Sequence, residues 1–466
     1  MPVQRMGRGT GSGIAAGRHL GLALVLVGLS VGAAPSSDRV FPPGHPAEGL
    51  PIDGRPFPAF SADGTGPLDE IVSLLFQAEL VPVEVGAALP AERAAGDETD
   101  EAFYQRGWYF RKRAGVASDR AVFGGDVRIS PLVALSNDQS ARLVTLLDRL
   151  ATPEQVNAFP ELRPPLARLL LQWDLWNAWW RLEQAKNKKG TQGDPEPKVL
   201  EALARAVVAC AQPEAALRAL PDGVVGLRRT FDGGKPGNPR SPYIPQSLLT
   251  GAPDSPWVEI DRSSSKLFHG AATFRAARVF INAGTAEQGR KLVEASAQAR
   301  AGHLPEVELG TEAALVLSLV GLTPELVPIA TPVVDEVRIR ALVGPPALAP
   351  AEGTTSRDGL NQWLFLRTRW GSLHDPERGA FRFVPDSAQG LFLEYGTAKR
   401  TTYFAQCTLC HRTTNDGGQA PSGLRSLSRT ARPRVVDQPE TRLWLAETEV
   451  GPSVLRLKAR LGLSAP

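Results

Sequence analysis

Apolar positions recur at helical spacing through much of the first half of the chain. After Pro67, Ile71, Leu74, Leu75 and Phe76 fall on one side of a short predicted helix. Residues 99–113 (TDEAFYQRGWYFRKR) predict a second short helix. Ser136, Asn137, Asp138 and Gln139 have the form of a capping box ahead of the periodic run ARLVTLLDRL. A Ser side chain and a Gln three residues on can each satisfy a backbone N–H of the other. The clearest pattern covers 164–186, where Leu166, Leu169, Trp173, Trp176 and Trp180 repeat at alternating spacings of three and four. Arg168, Gln172, Asp174, Asn177 and Arg181 lie around that stripe. With Trp179 the stripe holds four tryptophans in a very short stretch, which read as bulky core. Residues 198–219 predict one or two more helices.

Beyond residue 250 the period changes. WVEI (257–260), ARVFINA (277–283), ALVLSLV (314–320) and VDEVRIRAL (334–342) are rich in β-branched residues with partial alternation, the signature of strands. TAEQGRKLVEASAQA (285–299) predicts a helix between two of them. QWLFLRTRW (362–370) and FRFV (381–384) predict further strands, and PETRLWLAETEV with GPSVLRLKARLGL predicts a helical end. Gly- and Pro-dense stretches at 34–66, 221–256 and 344–357, and a polar loop at 186–197, separate these blocks. The expected fold class is α+β and multidomain. Residues 34–66 form a Pro/Gly-rich arm, 67–250 a mainly helical domain, 251–345 an α+β domain, and 346–466 a mainly helical C-terminal region.

Composition supports a globular chain: 42% hydrophobic and 22% charged residues. Residues 1–33 read differently. Arg5, Arg8 and Arg18 precede the apolar run LGLALVLVGLSVG, and Val31, Gly32 and Ala33 offer small residues at a cleavage point. This is the three-part pattern of a secretory signal peptide, too short for a comfortable membrane span. The expected location is therefore periplasmic or otherwise exported, with no membrane span after cleavage. Losing those three arginines reduces the 52 basic residues to 49, against 49 acidic ones. A near-neutral mature chain gives no reason to expect nucleic acid as a partner.

The three cysteines carry the chemistry. Cys210 stands alone in an apolar helical stretch (AVVACAQ) and reads as a buried free thiol. Cys407 and Cys410 flank two residues in FAQCTLCHRTT, and His411 follows at once. Two thiols at that spacing reach the two vinyl groups along one porphyrin edge, and the adjacent imidazole can turn beneath the ring to bind iron. Rival readings are a zinc knuckle, a redox dithiol, a structural disulfide or chance. Zinc wants four ligands, and the sequence holds no second CxxC and no HxxxH. A thioredoxin-like dithiol belongs after an early strand in a βαβ frame, which is lacking here. No GxSxG, HExxH, Walker-type or GxGxxG pattern in a strand-to-helix setting suggests other chemistry.

Cys407, Cys410 and His411 behind an export signal resemble a c-type cytochrome. The resemblance covers the motif and the C-terminal region around it. It implies one covalent haem c, held by Cys407 and Cys410, with His411 as proximal iron ligand. It also implies electron transfer, with a redox protein as partner. The chain departs from small cytochromes c in two ways. YGTAKRTTYFAQ, ahead of the motif, lacks their Gly and aromatic spacing. The only methionines are Met1 and Met6, both in the leader, so no Met is available as the second axial ligand. His45, in the Pro-rich arm, and His303, after a helix end, are less suited to that place. His269, between Phe268 and Gly270, and His374, beside Asp375, are the candidates. A His/His iron suits electron transfer. An open iron would make the protein a peroxidase-like enzyme or a small-molecule reductase. A third reading is an exported interaction or sensor protein with structural haem.

Overall fold

The computed structural model describes residues 59–61, 64–76, 78–82, 108–111, 122–123, 135–186, 197–221, 227, 231, 236, 242–250, 254–261, 274–298, 307–343, 360–374, 376–377, 380–384, 434–435, 444–445 and 447–463. Helix α1 (Pro67–Phe76) opens the described chain. A small antiparallel sheet follows, in the order β2–β1–β3, from β1 (Ala78–Pro82), β2 (Trp108–Arg111) and β3 (Val122–Phe123). The helix expected over 99–113 is thus corrected at its described part. Trp108, Tyr109 and Phe110 are strong strand formers, and their backbone pairs with Pro82, Val81 and Leu80. Local spacing gave no sign of that distant partner.

The helical layer comprises α2 (Asn137–Asp148), α3 (Pro153–Asn157), α4 (Pro165–Lys186), α5 (Pro197–Ala209) and α6 (Glu214–Arg218). The Ser136 side chain accepts from the Gln139 N–H while the Gln139 side chain accepts from the Ser136 N–H, so the expected capping box is formed. Helix α4 is more deeply set than a one-faced stripe implies. Every residue from Leu169 to Trp180 is buried, including Gln172, Asp174 and Asn177. Gln172 behaves like a strand partner at the far end of this helix layer. Its Oε1 accepts from the Leu322 N–H at 2.8 Å, and its Nε2 donates to the carbonyls of Leu322 at 3.1 Å and Val207 at 3.2 Å.

The main sheet is antiparallel, in the order β10–β4–β5–β6–β7–β8–β9, with β11 beside β5. Its strands are β4 (Trp257–Asp261), β5 (Arg275–Asn282), β6 (Glu312–Leu322), β7 (Pro328–Leu342), β8 (Leu360–Arg367), β9 (Phe381–Val384), β10 (Arg434–Val435) and β11 (Trp444–Leu445). Mixed α and β structure is thus established. The strand read over 362–370 ends at Arg367, and Arg369–His374 forms α8. The C-terminal end contributes β10 and β11 as well as helix α9 (Glu447–Arg460).

Helices and sheet meet where β6 bends. Register shifts near Ser318 break the β6–β7 ladder, as bulges do where a strand must turn. There Trp173 Nε1 donates to the Phe274 carbonyl at 2.9 Å, and Trp176 stacks on Phe274 with centroids 3.9 Å apart. The core joins Leu169, Trp173, Trp176 and Trp179 of α4 to Phe274, Ala276, Leu319, Leu322 and Val333 of the sheet region. One sheet face carries Trp257, Phe280, Val316, Val337, Ile339, Trp363 and Phe365, and is covered by Leu227, Tyr243, Ile244 and Leu248. The described part of the Gly/Pro-dense stretch, Leu227 and residues 242–250, therefore supplies a cover for the sheet. Helix α7 (Ala286–Gln298) sits over part of the other face, where Val293 packs with Val258, Ile260 and Ile281.

Candidate functional site

Cys407, Cys410, His411 and His269 lie outside the described residues. The backbone to either side of the CxxCH motif is placed. Strand β9 ends at Val384 on one edge of the main sheet, and β10 begins at Arg434 on the opposite edge. Trp363 and Phe365 are buried in the sheet core. Tyr243 meets Trp363 at 4.8 Å between centroids, and Phe231 meets Phe365 at 5.0 Å.

His374 closes α8 and is exposed. Its Nε2 lies 3.0 Å from the Phe60 carbonyl oxygen. A carbonyl only accepts, so Nε2 donates to it. A backbone carbonyl holding one ring nitrogen is the usual support for a metal-binding imidazole. Phe60 is itself fixed by Asp69. The Asp69 carboxylate accepts from the N–H groups of Ala59 (2.6 Å), Phe60 (2.7 Å) and Ser61 (3.0 Å), and from the Ser61 hydroxyl (2.6 Å).

Sequence reasoning missed the main polar feature, a buried ionic cluster at the helix–sheet joint. Arg369, at the start of α8, grips Asp174 of α4 with two hydrogen bonds of 2.8 and 2.5 Å. Arg275 of β5 reaches Asp335 at 2.8 Å and Glu336 at 2.8 Å, and Arg338 pairs with Glu336. Arg369 also lies 3.9 Å from Asp335. Both the Arg275 and Arg369 guanidiniums lie over the Trp173 ring, at 5.2 and 5.9 Å. Among the described residues three carboxylates, Asp174, Asp335 and Glu336, face three guanidiniums, Arg275, Arg338 and Arg369. Burial still matters: it raises the Asp174 pKa against the pull of Arg369 and lowers the Arg275 pKa to about 10. The chemistry of this cluster is a clamp between layers. The tryptophan stripe was legible in the sequence, but the partner of Asp174 lies far along the chain.

A second buried group sits at the other end of the sheet. Tyr243 donates to Glu312, whose other oxygen accepts from Asn282 Nδ2 at 2.9 Å. Burial raises the pKa of both Glu312 and Tyr243. Cys210 is fully buried and free, as its apolar context predicted, and burial pushes its thiol up to about 12. Among the described residues, no three His, Cys, Asp or Glu side chains gather as a metal site would require, and no helix is long and apolar enough to cross a membrane. No family model, curated protein or solved structure matches the chain.

Proposed function

We propose that this chain is an exported single-haem c-type cytochrome that transfers electrons to or from a redox protein. The observation that carries the reading is the sequence FAQCTLCH behind a signal-like leader. Cys407 and Cys410 would form the thioethers, and His411 would be the proximal ligand. The donor set fits: two thiols at vinyl spacing with an imidazole directly after them. Bound haem would supply a reversible one-electron iron couple, and the chain's part is to hold, shield and orient it. In this reading residues 346–466 are the haem c region, and the protein works in the periplasm or another exported space. His374, at the end of α8 with Nε2 held 3.0 Å from the Phe60 carbonyl, is one candidate for the sixth position in the closed-iron version. His269 is the second candidate for that position.

The test is expression in a host with haem c maturation, followed by the reduced pyridine haemochrome spectrum. The expected result is a c-type band that survives denaturation. Haem lost on denaturation would sink the reading. The native oxidised spectrum of His269→Ala and His374→Ala then separates the ligands: the true sixth ligand gives a low-spin to high-spin change on removal. If neither changes the spectrum, the iron is not closed by either, which moves the balance to an open-site haem enzyme. A thiol count offers an independent check. Thioether attachment consumes two cysteines and leaves Cys210, so after denaturation and reduction reagent should find one thiol, where a Cys407–Cys410 disulfide would give three.

A further inference from the structure

One register row at the end of the main sheet carries three polar side chains. Asn282 pairs with Glu312, Glu312 with Ala341, and Ala341 with Asn361. Residues directly opposite one another in an antiparallel ladder share a face, here the face that Tyr243, Ile244 and Leu248 cover. Glu312 is 6% and Asn361 1% exposed. They stand two interstrand steps apart, about 9–10 Å at the usual strand spacing, and on the sheet only the methyl of Ala341 lies between them. Tyr243 closes one side. Its ring meets Trp363, two residues along β8 from Asn361, at 4.8 Å, and its hydroxyl donates to Glu312.

Two features of this row ask for a positive ligand. A buried carboxylate is normally paired with a cationic side chain or bound to a metal. Among the described residues Glu312 is met only by neutral donors, the Tyr243 hydroxyl and, at 2.9 Å, Asn282 Nδ2. Arg278, on the same face of β5, is already held by Glu259 through hydrogen bonds of 2.9 and 2.6 Å. The second feature is Asn361. Its Nδ2 donates to the Pro236 carbonyl at 2.7 Å, which fixes the amide, and its Oδ1 is buried with no hydrogen-bond partner among the described residues. A buried orphan acceptor calls for a donor or an ion. Carboxylate and amide oxygens suit hard cations, and a single carboxylate balances a single positive charge. We propose that Glu312, Asn361 and Tyr243 form a binding site for a small monovalent cation, seated over Ala341 between the Glu312 carboxylate and Asn361 Oδ1. Tyr243 Oη gives its proton to Glu312 and adds a third oxygen through its lone pairs. Burial penalises the bare carboxylate, and the ion relieves that penalty. It also ties the cover at 242–250 to β6 and β8.

The site is independent of the haem reading, and haem content bears on neither outcome of its test. The experiment is thermal unfolding of the full chain in sodium, potassium or ammonium chloride, each exchanged against tetramethylammonium chloride at constant ionic strength. Tetramethylammonium has the same charge, but it has no N–H and is too bulky to sit between the two side chains. The expected result is a saturable rise in Tm with at least one of the three small cations. Glu312→Gln, which removes the charge, should abolish that rise. Tyr243→Phe, which removes one oxygen and keeps the ring on Trp363, should move it to higher cation concentration. Equal Tm in all four salts overturns the proposal, and so does a rise that Glu312→Gln retains. Where Glu312→Gln fails to fold, sodium NMR of the parent and Tyr243→Phe proteins takes its place. Excess sodium linewidth that potassium displaces and Tyr243→Phe reduces supports the site. Linewidth at the protein-free value, or unchanged by Tyr243→Phe, overturns it.

Discussion

Asp174 is the residue on which the helix–sheet joint turns. A carboxylate in a tryptophan stripe is tolerable only because Arg369 meets it with two hydrogen bonds. Removing one partner leaves the other charge buried and uncompensated, at a cost of about 3–5 kcal/mol. We expect Arg369→Met to lose that much in urea unfolding, and Asp174→Leu with Arg369→Met together to recover most of it. A double variant no better than the single would show that the clamp is not acting as a pair. Glu312 gives the pH-dependent counterpart. Burial raises its pKa above 4.5, opposed by hydrogen bonds from Tyr243 and Asn282. A carboxyl with a raised folded pKa binds more protons folded than unfolded. Its contribution is present below the unfolded pKa and is lost as pH rises through the folded one. Unfolding free energies measured from pH 4 upward should fall less steeply in Glu312→Gln than in the parent. Glu70 has the opposite sign. The hydrogen bond from Arg142 lowers its pKa, so its contribution is lost as pH falls.

At the scale of elements, the close packing of helices on β6 depends on a missing side chain. A Cβ on Gly321 would lie 2.7 Å from Leu217 Cδ2 and 3.0 Å from Leu169 Cδ1. Helices α4 and α6 approach the strand that closely only because the position is glycine. Gly321→Ala should destabilise by about 1–3 kcal/mol through overpacking, read as a lower urea midpoint with an unchanged slope. The start of α2 is a local matter by comparison. Ser136→Ala removes the acceptor for the Gln139 N–H and should cost about 1 kcal/mol. An unchanged midpoint in either variant would contradict the corresponding packing or capping argument.

For the molecule as a whole, one shared core links the helical layer to the sheet, and the described residues belong to a single unit spanning 37–466. The tryptophans of α4 report on that junction because Trp173 and Trp176 both engage Phe274. Tryptophan fluorescence and far-UV circular dichroism should therefore follow the same thermal transition. A fragment ending at residue 250 should expose the α4 face that Phe274 covers and bind hydrophobic dye. Separate transitions, or a fragment that folds with native-like near-UV signal, would mean that the helical layer is independent.

The sequence by itself determined what nearest neighbours decide. Ser136 and Gln139 are close enough along the chain to cap each other, so α2 was readable, and the i, i+3, i+4 spacing of Leu166 to Trp180 was enough for α4. Strand-like runs marked β4 to β9, and the apolar setting of Cys210 foretold its burial. The CxxCH spacing is the basis of the haem chemistry proposed for it. What only the tertiary structure decided involves partners far apart in the chain. Trp108–Arg111 is a strand because β1 offers it a ladder, which no local periodicity encodes. Arg369 finds Asp174, Tyr243 finds Glu312, and the Gly/Pro-dense stretch around 242–250 becomes a cover, because burial in a dry interior makes each unpaired polar or apolar surface costly until a distant segment meets it. The order of strands belongs to the same class: it alone brings the two ends of the CxxCH segment to opposite edges of the main sheet.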